Sequence, residues 1–164
     1  MHIRILKPAA ATLAVLVGSM MIPSAALADA SPLFKQLVGS WQGLGDLTLE
    51  DGTRERLSCK GYYVLKQEGD GLSIATLCES PTQKFEIRSL VAEKGSGISG
   101  QWEERTFHAT GQVSGKANGT TLDLSITGTI EGTISIALTG KTHSVTVTAA
   151  GAGIKGVQIS LSRS

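Results

Sequence analysis

Trp102-Glu103-Glu104-Arg105 is the most chemically loaded short stretch of this chain. In a strand, Trp102 and Glu104 share one face while Glu103 and Arg105 share the other, because successive side chains alternate. With Trp102 pointing inward, Glu104 becomes a partly buried carboxylate, which needs a partner or a shifted pKa. Two uses follow from that. Glu104 anchors a ligand, with Trp102 and Tyr63 as the other lining residues, or it pairs with a strand arginine such as Arg56 or Arg88. The residue types favour the ion pair. His108 and His143 stand singly, far apart, without an acidic neighbour two or three residues away. A zinc site needs three or four converging ligands, and neither His has a Ser or Asp partner at a recognisable spacing. Both read as solvated strand or turn histidines. The sequence holds no Gly-x-Ser-x-Gly elbow, phosphate-cradling loop or His-Glu-x-x-His. No nucleophile, base and orienting group assemble, so the expectation is a protein that is not an enzyme and has no catalytic residue, metal or cofactor.

Cys59 and Cys78 are the two cysteines of the chain. A two-residue turn at Glu68-Gly69 opposes Leu65 to Leu72, Tyr63 to Ile74, Gly61 to Thr76 and Cys59 to Cys78. One register thus aligns an apolar face and sets the thiols opposite each other. Directly opposed Cβ atoms lie about 4.5–5.5 Å apart, slightly long for a bridge, and a modest twist closes the gap. The expectation is a structural disulfide, since no Cys-x-x-Cys spacing marks a redox-active pair.

The elements that must position these side chains are strands. After one short helical turn at Pro32–Val38 come apolar/polar alternations of roughly 6 to 12 residues, broken by turn signals at regular spacing. Asp51-Gly52, Ser80-Pro81, Lys116 to Gly119, Thr127-Gly128 and Ala150 to Gly153 are among those signals. The strands expected run from Ser40–Leu49 and Thr53–Gln67 through Ile98–Thr106, Ala109–Ser114 and Thr121–Ile126 to Ser144–Ala149 and Gly156–Arg163. The 20 glycines suit a sheet protein with many tight turns.

The first 28 residues read as a secretory signal peptide. Arg4 and Lys7 precede a small apolar run from Pro8 to Ile22, and Ala26-Leu27-Ala28 supplies the small residues of a cleavage site. Residues 29–164 then form a single β domain, exported and soluble, in the periplasm or outside the cell. Losing Arg4 and Lys7 leaves 13 of the 15 basic side chains against 14 acidic ones. That balance gives no electrostatic case for nucleic acid or an anionic membrane. An oxidising compartment also suits the cysteine pair. Two Trp, two Tyr and three Phe are too few for the aromatic girdles of a membrane barrel, so no stable membrane insertion is expected once the signal is removed.

Gly39-Ser40-Trp41, after a short amphipathic turn and opening the first strand, resembles the Gly-x-Trp start of the calycin group of lipocalins, avidins and fatty-acid-binding proteins. That resemblance implies a closed antiparallel barrel in which Trp41 plugs one end and a basic residue of the last strand, here Arg163, packs across it. Extended to Gly45, the motif is also similar to the haem-binding nitrobindin barrels. Those carry a haem-ligating His seven residues before the terminal Arg, where this chain has Gly156, so haem is not implied. A broader pattern is similar to short exported alphaproteobacterial proteins of unassigned function. It includes Trp41-Gln42-Gly43-Leu44-Gly45, Glu55 to Cys59, Tyr63, Leu77-Cys78, Phe85-Glu86, Ile98 to Glu104 and Val157 to Arg163. This implies a small exported β domain and brings no catalytic residues.

The fold expected is therefore all-β, a mostly up-and-down antiparallel barrel or curled sheet of about eight to ten strands. Two functions fit it. One is a binding module holding a small apolar or amphipathic ligand in the barrel mouth. The other is a structural or interaction protein of the cell envelope, partnered by an envelope protein and without a bound ligand. Few aromatics and many small strand residues weigh against a large apolar pocket.

Overall fold

Period-two alternation runs through most of the described strands, so each has one face to bury. Ten such strands bury theirs together by curling into a closed ring. The computed structural model describes residues 31–66, 71–151 and 153–164. The expected signal segment, 1–28, and the Glu68-Gly69 turn lie outside these residues.

A short helix α1 (Pro32–Leu37) leads into β1 (Gly39–Leu49), β2 (Arg54–Leu65), β3 (Gly71–Glu79), β4 (Lys84–Lys94) and β5 (Gly97–Glu104). There follow β6 (Ala109–Asn118), β7 (Thr121–Gly128), β8 (Glu131–Thr139), β9 (Thr142–Ala150) and β10 (Ile154–Arg163). Each strand pairs antiparallel with its neighbours in sequence, and β10 pairs with β1 to close the barrel. Closure leaves no strand edge exposed, which removes the usual hazard of edge-to-edge association. The up-and-down barrel expected from the sequence is thus present, with ten strands.

The β2–β3 register is the one that the cysteines demanded. Leu65 opposes Leu72, Tyr63 opposes Ile74, Gly61 opposes Thr76 and Cys59 opposes Cys78. The two sulfurs are bonded, with the Cα atoms 4.1 Å apart. Strand β6 runs further than its expected end at Ser114. Lys116, the expected start of a turn, opposes Asp123 within the β6–β7 ladder, and Gly115 before it opposes Leu124. A Cβ there would sit against the Asp123 carbonyl, so glycine allows the ladder to continue through a tight bend.

Inward positions carry the core. Leu47, Leu57, Leu72, Val91, Ile98, Val113, Leu122, Leu138 and Leu161 are all buried, and they fall on the inward parity of their strands. The outer wall carries charge in mid-strand, with Arg56 paired to Asp46 and Arg88 to Glu86. That polarity is the reverse of a membrane barrel, whose outward face is apolar. Among the described residues no helix is long and apolar enough to cross a membrane.

Candidate functional site

The two ends of the barrel differ. Helix α1 covers the end where β1 begins, and its Leu33, Phe34 and Leu37 are buried in the core. Pro32, at the start of the helix, lacks only an N–H that would be unpaired there anyway. At the other end of α1 the last carbonyls find partners from the barrel. Trp41 Nε1–H donates to Leu37 O at 2.8 Å. The Arg163 guanidinium donates to Gln36 O at 2.7 Å and to Val38 O at 2.6 Å. It also lies 4.5 Å from the centroid of the Trp41 ring, a cation–π contact. Trp41 opposes Arg163 in the β1–β10 ladder, so strand closure itself brings the two chain ends together. This end is a plug.

A polar pair lies beneath the plug. His143 is only 1 % exposed, with its ring edge-on to Trp41 at 4.4 Å. Its Nε2 is 3.3 Å from the Tyr63 hydroxyl, while its Nδ1 is buried without a partner. The solvated histidine expected from the sequence is therefore a core residue. The signal was present in its position: His143 shares the inward parity of Val145, Val147 and Ala149, as their partners on β10 and β8 show. His108, in contrast, is exposed. Burial pushes the His143 pKa down to about 4, helped by the nearby Arg163 charge. Burial likewise pushes the Tyr63 hydroxyl up to about 12.

This has a consequence for stability. An unfolded histidine titrates near 6.5, so the folded state favours neutral His143. Its contribution is complete above pH 6.5 and is lost as the pH falls from 6.5 to about 4. The size is on the order of 3 kcal/mol. Urea unfolding of wild type is expected to show this acid limb, and His143→Leu should flatten it between those pH values. Glu55, Glu79 and Glu86 are held below the usual carboxylate range by hydrogen bonds, so their losses fall at lower pH. A wild-type slope unchanged by His143→Leu would contradict the assignment.

The opposite end of the barrel is open. Tyr63, Ile74, Ser89 and Trp102 oppose one another in turn across β2 to β5. Tyr63 and Trp102 thus lie on one inward row, three strand spacings or roughly 14 Å apart around the wall. The adjacent row towards the open end runs Gly61, Thr76, Ile87, Glu104. Between the two aromatics lie Ile74 and Ser89, both half-buried. Ile87, on the inward parity between buried Phe85 and Val91, is 37 % exposed. On the facing wall Ile134, Val145, Val147 and Val157 are only half-buried. A ten-stranded barrel is wider than an eight-stranded one, whose side chains just fill it. In this half Leu47, Leu57 and Cys59 are sealed, while Ile87, Ile134, Val147 and Val157 keep part of their surface exposed.

Glu104 finds its partners without an arginine. Its carboxylate accepts backbone N–H bonds from Glu86 at 2.8 Å, Thr106 at 3.1 Å and Phe107 at 2.6 Å. The arginines named as alternatives are held elsewhere, Arg56 by Asp46 and Arg88 by Glu86. Trp102 turns its indole towards β6 and β7, where Nε1–H donates to Thr127 O at 3.2 Å. Gly111 opposite makes room for it, since a Cβ there would lie 2.6 Å from that nitrogen. Of the three ligand-lining candidates, Trp102 and Glu104 share the β5 wall, and Tyr63 stands at the far end of the row beside His143. Among the described residues no cluster of three or more His, Cys, Asp or Glu could hold a metal.

The outer wall offers a second feature. A depression of about 490 Å³ over β1 to β4 is lined by Gln42, Lys60, Tyr62, Leu77, Glu86 and Arg88, among others. Tyr62, Val64 and Leu90 are exposed on this face.

No protein-family model matches the chain, and no curated protein matches it in sequence. Solved structures do resemble it. The crystal structure of Rv2717c from M. tuberculosis superposes with a TM-score of 0.60 at 14% identity, covering 83% of this chain and 99% of that one. The S-type phycobiliprotein lyase CPES from Guillardia theta superposes with a TM-score of 0.58 at 10% identity, covering 80% of this chain and 90% of that one. At these identities the likeness shows the fold alone. The class defined is a single-chain antiparallel barrel with one plugged end.

Proposed function

We propose that this protein holds one small apolar or amphipathic molecule in the open half of its barrel. One observation carries the reading: Ile87 points inward, one inward position from the open end of β4, and is 37 % exposed. An inward isoleucine in a filled barrel would be sealed, so its exposure marks apolar wall with nothing against it. The plug at the opposite end supports the reading, because it leaves a single way in. The likeness to a barrel named as a phycobiliprotein lyase supports it at the level of scaffold.

We also take residues 1–28 as a cleaved signal and residues 29–164 as one exported domain, in the periplasm or secreted. The disulfide supports that location. Ile87→Trp is the direct test. It fills the chamber with an indole and is expected to weaken binding of N-phenylnaphthylamine at least tenfold, read by probe fluorescence. The folded barrel, checked by circular dichroism, should persist. Unchanged binding in that variant would place the probe outside the chamber and overturn the reading. Because one structural neighbour is named as a lyase, the same samples should be weighed after incubation. An altered mass would mark turnover of the held molecule.

A second reading has its own observation. Tyr62, Val64 and Leu90 are exposed on one outer face beside Lys60 and Arg88, a surface fit for a protein of the cell envelope. Under that reading Tyr62→Ala abolishes capture of the partner while Ile87→Trp leaves it intact.

A further inference from the structure

The rim of the open end is made by the turns after β1, β3, β5, β7 and β9. Four of these contain or adjoin Gly52, Pro81, Gly128, or Gly151 and Gly153. The β5–β6 turn, Arg105-Thr106-Phe107-His108, has neither glycine nor proline. It adopts its shape at a cost: His108 takes φ 54°, the one positive φ of a non-glycine among the described residues, a strained position for a side chain with a Cβ. The strain is held by an unusual set of contacts. Glu104, itself buried, accepts both the Thr106 and Phe107 N–H groups and ties them to the Glu86 N–H of β4. Arg105 adds its own N–H to Glu86 O at 2.9 Å and its guanidinium to the Glu86 carboxylate at 3.0 Å.

A plain hairpin turn needs none of this. What the arrangement achieves is the position of one side chain. Phe107 is 58 % exposed, and its ring centroid lies 6.2 Å from that of Phe85. Phe85 is the last inward residue of β4 at the open end, two residues beyond Ile87 on the same face. The exposed phenyl therefore stands at the open end, beside the last inward residue of β4.

We propose that Phe107 is the lip of the chamber, a ligand-contacting residue that covers a bound apolar molecule, held in place by Glu104. This rests on the chamber reading given above. A rigid aromatic at the mouth adds contact area at little entropic cost to the ligand-bound state. Its loss should appear mainly in the dissociation rate.

Stopped-flow fluorescence with N-phenylnaphthylamine tests this. Because Phe107 is exposed, Phe107→Ala should fold as wild type does. It is expected to raise the dissociation rate about tenfold and to leave the association rate within about threefold. Leu44→Ala, which removes an exposed side chain from the outer wall, should change neither rate. Glu104→Ala is expected to weaken binding several-fold when Phe107 is present and less than twofold when residue 107 is already alanine, the signature of one residue acting through the other. Wild-type binding with unchanged rates in Phe107→Ala would overturn the lip and leave the chamber standing. Absence of probe binding in wild type would overturn both.

Discussion

Replacing Trp41 with alanine is expected to lower the unfolding free energy by about 3–5 kcal/mol, the range for deleting a large buried aromatic. The physical reason goes beyond lost area. The indole is buried, stacks beneath Arg163 and packs against His143, and its N–H satisfies Leu37 O. Without it, Leu37 O loses this hydrogen bond, Arg163 loses its platform, and α1 is left with fewer ties to the barrel. Trp41→Phe keeps a ring and removes the donor, so it should cost about 1–2 kcal/mol. Urea unfolding of both variants measures this. A Trp41→Ala loss below about 1 kcal/mol would mean that α1 and Arg163 hold the plug without it.

The second large effect belongs to the hairpin staple. Cys59 and Cys78 are separated by 19 positions, and closing a loop of that size stabilises by about 3 kcal/mol in the chain-entropy model. The double variant Cys59→Ala/Cys78→Ala is expected to lose that amount, and reductant should destabilise wild type but not the variant. Alkylation of the native protein without prior reduction should label neither cysteine. Labelling of both would refute the bridge. The bridge lies inside the wall between β2 and β3, next to Gly61 and Thr76 on the open side of Tyr63, so it also stiffens the wall of the proposed chamber.

Much of the fold was legible because period-two alternation is a local signal. The barrel class, the helical turn before β1 and the cysteine register all follow from it, and α1 ends at Leu37 where the sequence suggested Val38. What was not legible is what depends on partners distant in sequence. Glu104 was visible as a buried carboxylate, but its partners are the backbone N–H groups of a turn that no glycine or proline announces. His143 was readable by parity, yet a lone histidine among threonines and serines looked solvated. The exposure of Ile87 was the hardest to foresee. Few aromatics and many small strand residues argued against a large apolar pocket, and nothing local marks which inward side chains stay uncovered in a ring of ten strands. Barrel width is set by how many strands close, and no single segment records that number.

The most direct test of the chamber is methyl NMR of the isoleucine- and valine-labelled protein titrated with N-phenylnaphthylamine. Shifts should concentrate at Ile74, Ile87, Ile134, Val147 and Val157, on the inward faces of the open half, and Val64 on the outer wall should stay still. Shifts centred on Val64, or none at Ile87, would show that the barrel interior holds no ligand.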